Sequence, residues 1–126
     1  MKTKRSRKRQ AHRARERQPP WFEALRVMAD YGSSGIWALR QVGVFRQGML
    51  EHGDLRLPEE LSQRFRRWIE VYEQRLEGPA QFNHETFNAE GRALAQALKR
   101  YVGSGTYVEF QSETAEGGLN PPEEIT

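Results

Sequence analysis

The sequence predicts an α+β protein: a small single domain of two long helices packed on a short sheet, with a basic, disordered N-terminal arm. Three observations predict it. Leu61, Phe65, Trp68, Ile69, Tyr72 and Leu76 recur at helical spacing and form one apolar stripe over four turns. A second set with the same period, Phe87, Leu94, Ala95, Leu98 and Tyr101, follows after Gly78-Pro79. Thr106-Tyr107-Val108-Glu109-Phe110 instead alternates with the period of two that a half-buried strand requires.

Taken in order, residues 1–20 form the arm. They contain almost nothing that can be buried, so no hydrophobic gain offsets the entropy of ordering them. The run from Arg7 to Gln18 lacks Gly, Pro and β-branched residues and can become helical on a partner. Pro19-Pro20 ends that possibility and marks the boundary of the body. Between Trp21 and Tyr31, Phe22, Leu25, Met28 and Ala29 fit a helical face, while Leu25, Val27 and Ala29 alternate as in a strand. The strand is the preferred reading, from about Ala24 to Ala29. Asp30 to Gly35 is a turn cluster, Ile36 to Phe45 a second apolar stretch interrupted by Gly43, and Glu51-His52-Gly53-Asp54 a loop.

The first long helix begins at Leu57-Pro58-Glu59-Glu60, where proline suits the first turn and two carboxylates face the positive end of the helix dipole. It stops at Gly78-Pro79. The second starts near Asn83, a capping residue, and runs to about Val102. Gly91 lies on its apolar face, where a helical glycine implies close approach of another element. The domain is thus expected to span residues 21–112. Residues 113–126, built of Glu, Gly, Pro and Thr, are expected to be a disordered tail.

The chain has 126 residues with 20 Lys+Arg and 17 Asp+Glu, but the charge is unevenly placed. Met1 to Arg17 hold nine basic residues and one acid, net +8; the remaining 11 basic and 16 acidic residues give the body −5. From Trp21 to Gln111, 40 of 91 residues are apolar, enough for a packed core. With no cysteine, disulfides, thiolate zinc sites and thiol nucleophiles are excluded. No apolar stretch approaches the roughly 20 residues of a membrane span, and no apolar region follows the basic start as a signal peptide requires. A cytoplasmic location is expected, with no membrane partner.

No catalytic constellation is visible. His12, His52 and His84 lie in no motif with a nucleophile. Glu51, His52 and Asp54 could ligate a cation, but three polar loop residues are better explained as solvated, so no metal and no cofactor is expected. Gly32, Gly35, Gly43 and Gly48 form no phosphate-binding pattern, and Glu59-Glu60 are helix-capping acids. Phe65, Trp68 and Tyr72 could stack on bases, but they share the apolar stripe and belong to the core. On the opposite face, Arg66 and Glu70 suit surface pairing at i, i+4. Arg64, Arg66 and Arg67 make the densest basic spot of an otherwise acidic body, a weak candidate for phosphate contact.

The arm carries the strongest functional signal. Lys4, Arg5, Arg7, Lys8, Arg9, Arg13, Arg15 and Arg17 would neutralise phosphates and release counterions, with Trp21 placed to seal the core edge or to stack on what the arm holds. The layout resembles the arginine-rich RNA-binding peptides of phage antiterminators, which implies RNA slightly favoured over DNA. The body, through Met28-Ala29-Asp30-Tyr31-Gly32, Trp37, Leu57-Pro58 with Leu61, Arg64, Trp68 and Tyr72, Glu90-Gly91 with Leu94-Ala95 and Leu98, and Tyr107-Val108 with Phe110, resembles a group of small uncharacterised bacterial α+β proteins. That resemblance implies a compact α+β domain and carries over no catalytic residue. Ser33 to Gly53 departs from it, being Arg- and Gly-containing instead of acidic.

Two functions are expected from these features. The first is a non-enzymatic adaptor whose acidic body recognises a protein partner while the arm contacts nucleic acid. The alternative is an immunity or antitoxin-type inhibitor whose acidic surface blocks a nucleic-acid-handling enzyme. Glu70 and Glu73, on the polar face of the first helix, are the candidate partner-binding residues under either.

Overall fold

A computed structural model describes residues 21–41 and 47–126. Its elements are β1 (Ala24–Val27), β2 (Ile36–Ala38), β3 (Gly48–Met49), α1 (Glu59–Gln74), α2 (His84–Val102), β4 (Tyr107–Phe110) and β5 (Glu123–Ile125). The strands form one sheet in the order β3-β2-β1-β4-β5. β1 pairs antiparallel with β2 but parallel with β4, and parallel neighbours need a long crossover, which here contains both helices. The α+β class and the two helices packed on a short sheet are therefore as the sequence predicts.

Alternation in the strands decides which face meets the helices. Leu25 and Val27 of β1, Ile36 and Ala38 of β2, Val108 and Phe110 of β4 and Ile125 of β5 are all buried in one core with Phe65, Trp68, Leu94 and Leu98. Trp68 is central to this core: it stacks on Phe87 with ring centroids 4.8 Å apart and donates from Nε1 to the Phe87 carbonyl at 3.0 Å. A β-carbon at Gly91 would lie 2.6 Å from both Phe110 and Trp68, so only glycine lets α2 approach the sheet this closely. Gly35, at φ +83°, makes the corresponding approach of the β1–β2 turn to Phe65 and Trp68 of α1. Asn83 caps α2, its side chain accepting from the Thr86 amide at 2.9 Å.

Two expectations are corrected. Residues 113–126 are not a disordered tail: β5 extends the sheet beside β4, and Ile125 is buried against Val108. Pairing with an existing strand edge supplies the stabilisation that local composition lacks. Leu76 is 72% exposed because α1 ends at Gln74, two residues before the apolar stripe does. The apolar stretch from Ile36 gives only three residues of β2, and residues 42–46 lie outside the described residues.

Candidate functional site

The polar face of α1 presents Glu70 and Glu73 at i and i+3. Glu70 is exposed. Glu73 is engaged within the fold, where one carboxylate oxygen accepts from the Gly32 amide at 2.7 Å and fastens the β1–β2 turn to the helix. The expected Arg66–Glu70 pair does not form; Arg66 meets Glu59 at 3.5 Å, and Arg64 meets Glu90 of α2 at 3.1 Å. The basic spot is thereby largely compensated.

At the C-terminal end of α1, Arg75 ties three segments together. It donates to Glu113 at 2.6 Å, to the Tyr31 hydroxyl at 3.0 and 3.1 Å and to the Tyr72 hydroxyl at 2.9 Å, with its guanidinium 3.9 Å from the Tyr72 ring centroid. Tyr72 in turn donates to Glu113 at 2.9 Å. Burial, that hydrogen bond and the nearby carboxylate push the Tyr72 hydroxyl up to about 12. Burial works against the Arg75 charge, but its bonds to Tyr31 and Glu113 outweigh this and hold its pKa above the usual value.

His52 is not a solvated loop residue. Its ring bridges the Ser62 hydroxyl at 2.7 Å and the Ser34 carbonyl at 2.9 Å, and a carbonyl only accepts, so Nε2 carries a proton. This joins the loop before α1 to the β1–β2 turn and leaves His52 no free ring nitrogen for a metal. Among the described residues no group of three or more His, Asp or Glu is placed to hold an ion. An open groove of about 550 Å³ between α1 and the start of α2 is floored by Trp68, Val71, Phe82 and Phe87. Arg67, which has no ion pair among the described residues, stands at its rim.

The outer face of the sheet carries charges in register. Arg26 of β1 lies opposite Glu109 of β4 and donates to it at 2.6 Å; the Tyr107 hydroxyl donates to the other carboxylate oxygen at 3.0 Å. Burial, that hydrogen bond and the charges of Glu109 and Glu124 push the Tyr107 hydroxyl up. Beside them a cavity of about 540 Å³ is lined by Glu23, Ala24, Leu39, Arg40, Tyr107 and Glu109. Sequence reading found the alternation of β4, which puts Tyr107 and Glu109 on one face, but not their partner Arg26, 83 residues away in the chain. Trp21 lies at the junction with the arm, 58% exposed, its Nε1 donating to the Gly105 carbonyl at 3.2 Å. Lys4, Arg5, Arg7, Lys8, Arg9, Arg13, Arg15 and Arg17 lie outside the described residues.

Fold and surfaces together define a small two-layer α+β domain with charged patches on its surface. Residues 23–113 match a family described as Serratia CdiI immunity protein-like. The match spans well over half of the chain, and the protein belongs to that family. No curated protein matches the chain. Membership favours the inhibitor expectation over the adaptor expectation, and it brings no support for nucleic-acid binding. No helix among the described residues is long and apolar enough to cross a membrane.

Proposed function

We propose that this protein is an immunity protein: it binds a cognate protein toxin in the cytoplasm and holds it inactive, without chemistry of its own. The family match over residues 23–113 carries this reading. The −5 charge of the body supports a basic partner, as a nucleic-acid-handling toxin would be. Glu70, exposed on α1, contributes by long-range attraction, which speeds encounter more than it strengthens the finished complex. The test is co-expression with the toxin domain encoded beside the protein's own gene, followed by measurement of binding between the purified partners. Restored growth with a stable one-to-one complex is expected; growth arrest with no complex overturns the proposal.

The nine basic residues before Pro19 favour one accessory role, contact of the arm with nucleic acid. Fluorescence anisotropy of labelled single-stranded RNA and duplex DNA against the full chain, at low and physiological salt, tests it. Binding with a steep salt slope and a preference for RNA is expected. Weak binding that vanishes at physiological salt for both probes overturns it.

A further inference from the structure

The face of the sheet turned away from the core carries an arrangement that folding does not explain. Strand register sets Met49, Trp37, Arg26, Glu109 and Glu124 in one row across β3, β2, β1, β4 and β5. Glu109 and Glu124 stand directly opposite each other on adjacent antiparallel strands, where like charges repel and cost stability. Only one cation in the row answers them, and Arg26 is committed to Glu109. Glu124 has no ionic partner among the described residues. Glu109 itself is 6% exposed, so much of its hydration is already lost in the free protein.

The surroundings of these carboxylates suit a protein contact. Trp37 is fixed by donation from Nε1 to the Met28 carbonyl at 3.0 Å, while Tyr107 is 40% and Met49 42% exposed. Trp, Tyr, Arg and Met are the residue types enriched at the centres of protein interfaces, and a ring already held in place loses little entropy on binding. The cavity beside Glu109 has room for a long side chain. Two adjacent carboxylates are too few to hold a bare cation, and their sign excludes an anion. The α1 groove has the opposite polarity, since its uncompensated charge is Arg67.

We infer that this outer sheet face is the surface on which the toxin docks, and that a lysine or arginine side chain of the toxin pairs with Glu124 beside the buried Glu109, flanked by Trp37 and Tyr107. The inference rests on the immunity reading and adds where the partner sits. It separates two roles: Glu70 on α1 attracts from a distance, and the sheet face holds at contact. A residue kept in repulsion in the free protein and relieved by its partner has a distinctive signature. Its neutralisation stabilises the free protein and weakens the complex.

The experiment uses the full chain and an inactivated form of the toxin domain encoded beside its gene, with rates of association and dissociation measured by surface plasmon resonance. Glu124→Gln is expected to leave the melting temperature of the free protein equal or higher while dissociation from the toxin speeds at least tenfold. Glu124→Lys is expected to speed it a hundredfold. Glu70→Lys is expected to slow association in a salt-dependent way with dissociation within twofold of wild type. Wild-type binding with Glu124→Gln and Glu124→Lys both within twofold of wild type overturns the sheet-face inference alone. Absence of wild-type binding overturns the immunity reading and the inference with it.

Discussion

A β-carbon added at Gly91 would meet the rings of Trp68 and Phe110 at 2.6 Å, and both rings are backed by the core. Gly91→Ala therefore sets two effects against each other: better helix propensity, about 0.5 to 1 kcal/mol, and overpacking, about 1 to 3 kcal/mol. Overpacking wins, and a net loss of about 1 kcal/mol is expected in chemical denaturation. Trp68→Ala removes a ring that stacks on Phe87 and packs on Phe110, with an expected loss of about 3 to 5 kcal/mol. A soluble Trp68→Ala variant with an unchanged melting temperature would sink the core assignment. Tyr72 predicts alkaline sensitivity. Its hydroxyl titrates near 12 in the folded protein against 10 when unfolded, so the folded state holds the proton longer and stability falls between pH 10 and pH 12. The full loss is roughly 2 kcal/mol at one pKa unit per 1.4 kcal/mol, discounted for residual solvation. Thermal melts at pH 9 and pH 11.5 check it: Tyr72→Phe should be less stable at pH 9, by about 1 kcal/mol for its hydrogen bonds, and show a smaller drop on going to pH 11.5. The close approach at Gly91 was legible in the sequence because a glycine on an apolar helical face has few other reasons to be there. The bridging role of His52 was not, since Ser34 and Ser62 reach it from separate segments.

Among the elements, β5 shows where local reading stops. Residues 113–126 contain a single buried aliphatic residue, Ile125, and nothing in their composition marks a strand. The decisive partner is the exposed edge of β4, which exists only once the rest of the sheet has formed. Ile125→Ala is expected to destabilise the domain by about 2 kcal/mol, toward the low end for a buried aliphatic because β5 is an edge strand. Amide exchange at Val108 and Phe110 should rise in the same variant; protection unchanged at both would mean that β5 contributes nothing to the sheet. Both helices were legible because an amphipathic stripe, a capping Asn83 and terminal glycines are all local signals. Strand β1 was legible as a strand but not as the centre of the sheet. Its charged residue, Arg26, finds Glu109 only through parallel pairing across the entire crossover. The same limit applies to the candidate site: Glu70 could be picked out on one helix, whereas the row from Met49 to Glu124 is assembled from five strands.

At the scale of the whole molecule, charge divides into an arm of +8 and a body of −5. Removal of residues 1–18 is expected to abolish binding to RNA and DNA and to leave toxin neutralisation intact, because the family match begins at residue 23. Growth protection lost on that deletion, with the body still folded, would move the arm into the inhibitory surface. The parallel pairing of β1 with β4 also sets a clock. Ala24 pairs with Tyr107, so the centre of the sheet closes a loop of most of the domain, and such non-local closure slows folding relative to a helical domain of the same size. During synthesis β1 and β2 emerge early with one edge of β1 open, and nothing can fill that edge until Phe110 has been made. If the protein is the immunity protein proposed above, protection begins with the finished chain and not with a nascent one. The proposed immunity role then calls for a standing pool of the protein made before a toxin arrives, since molecules begun at that moment would be late by the full time of their own translation.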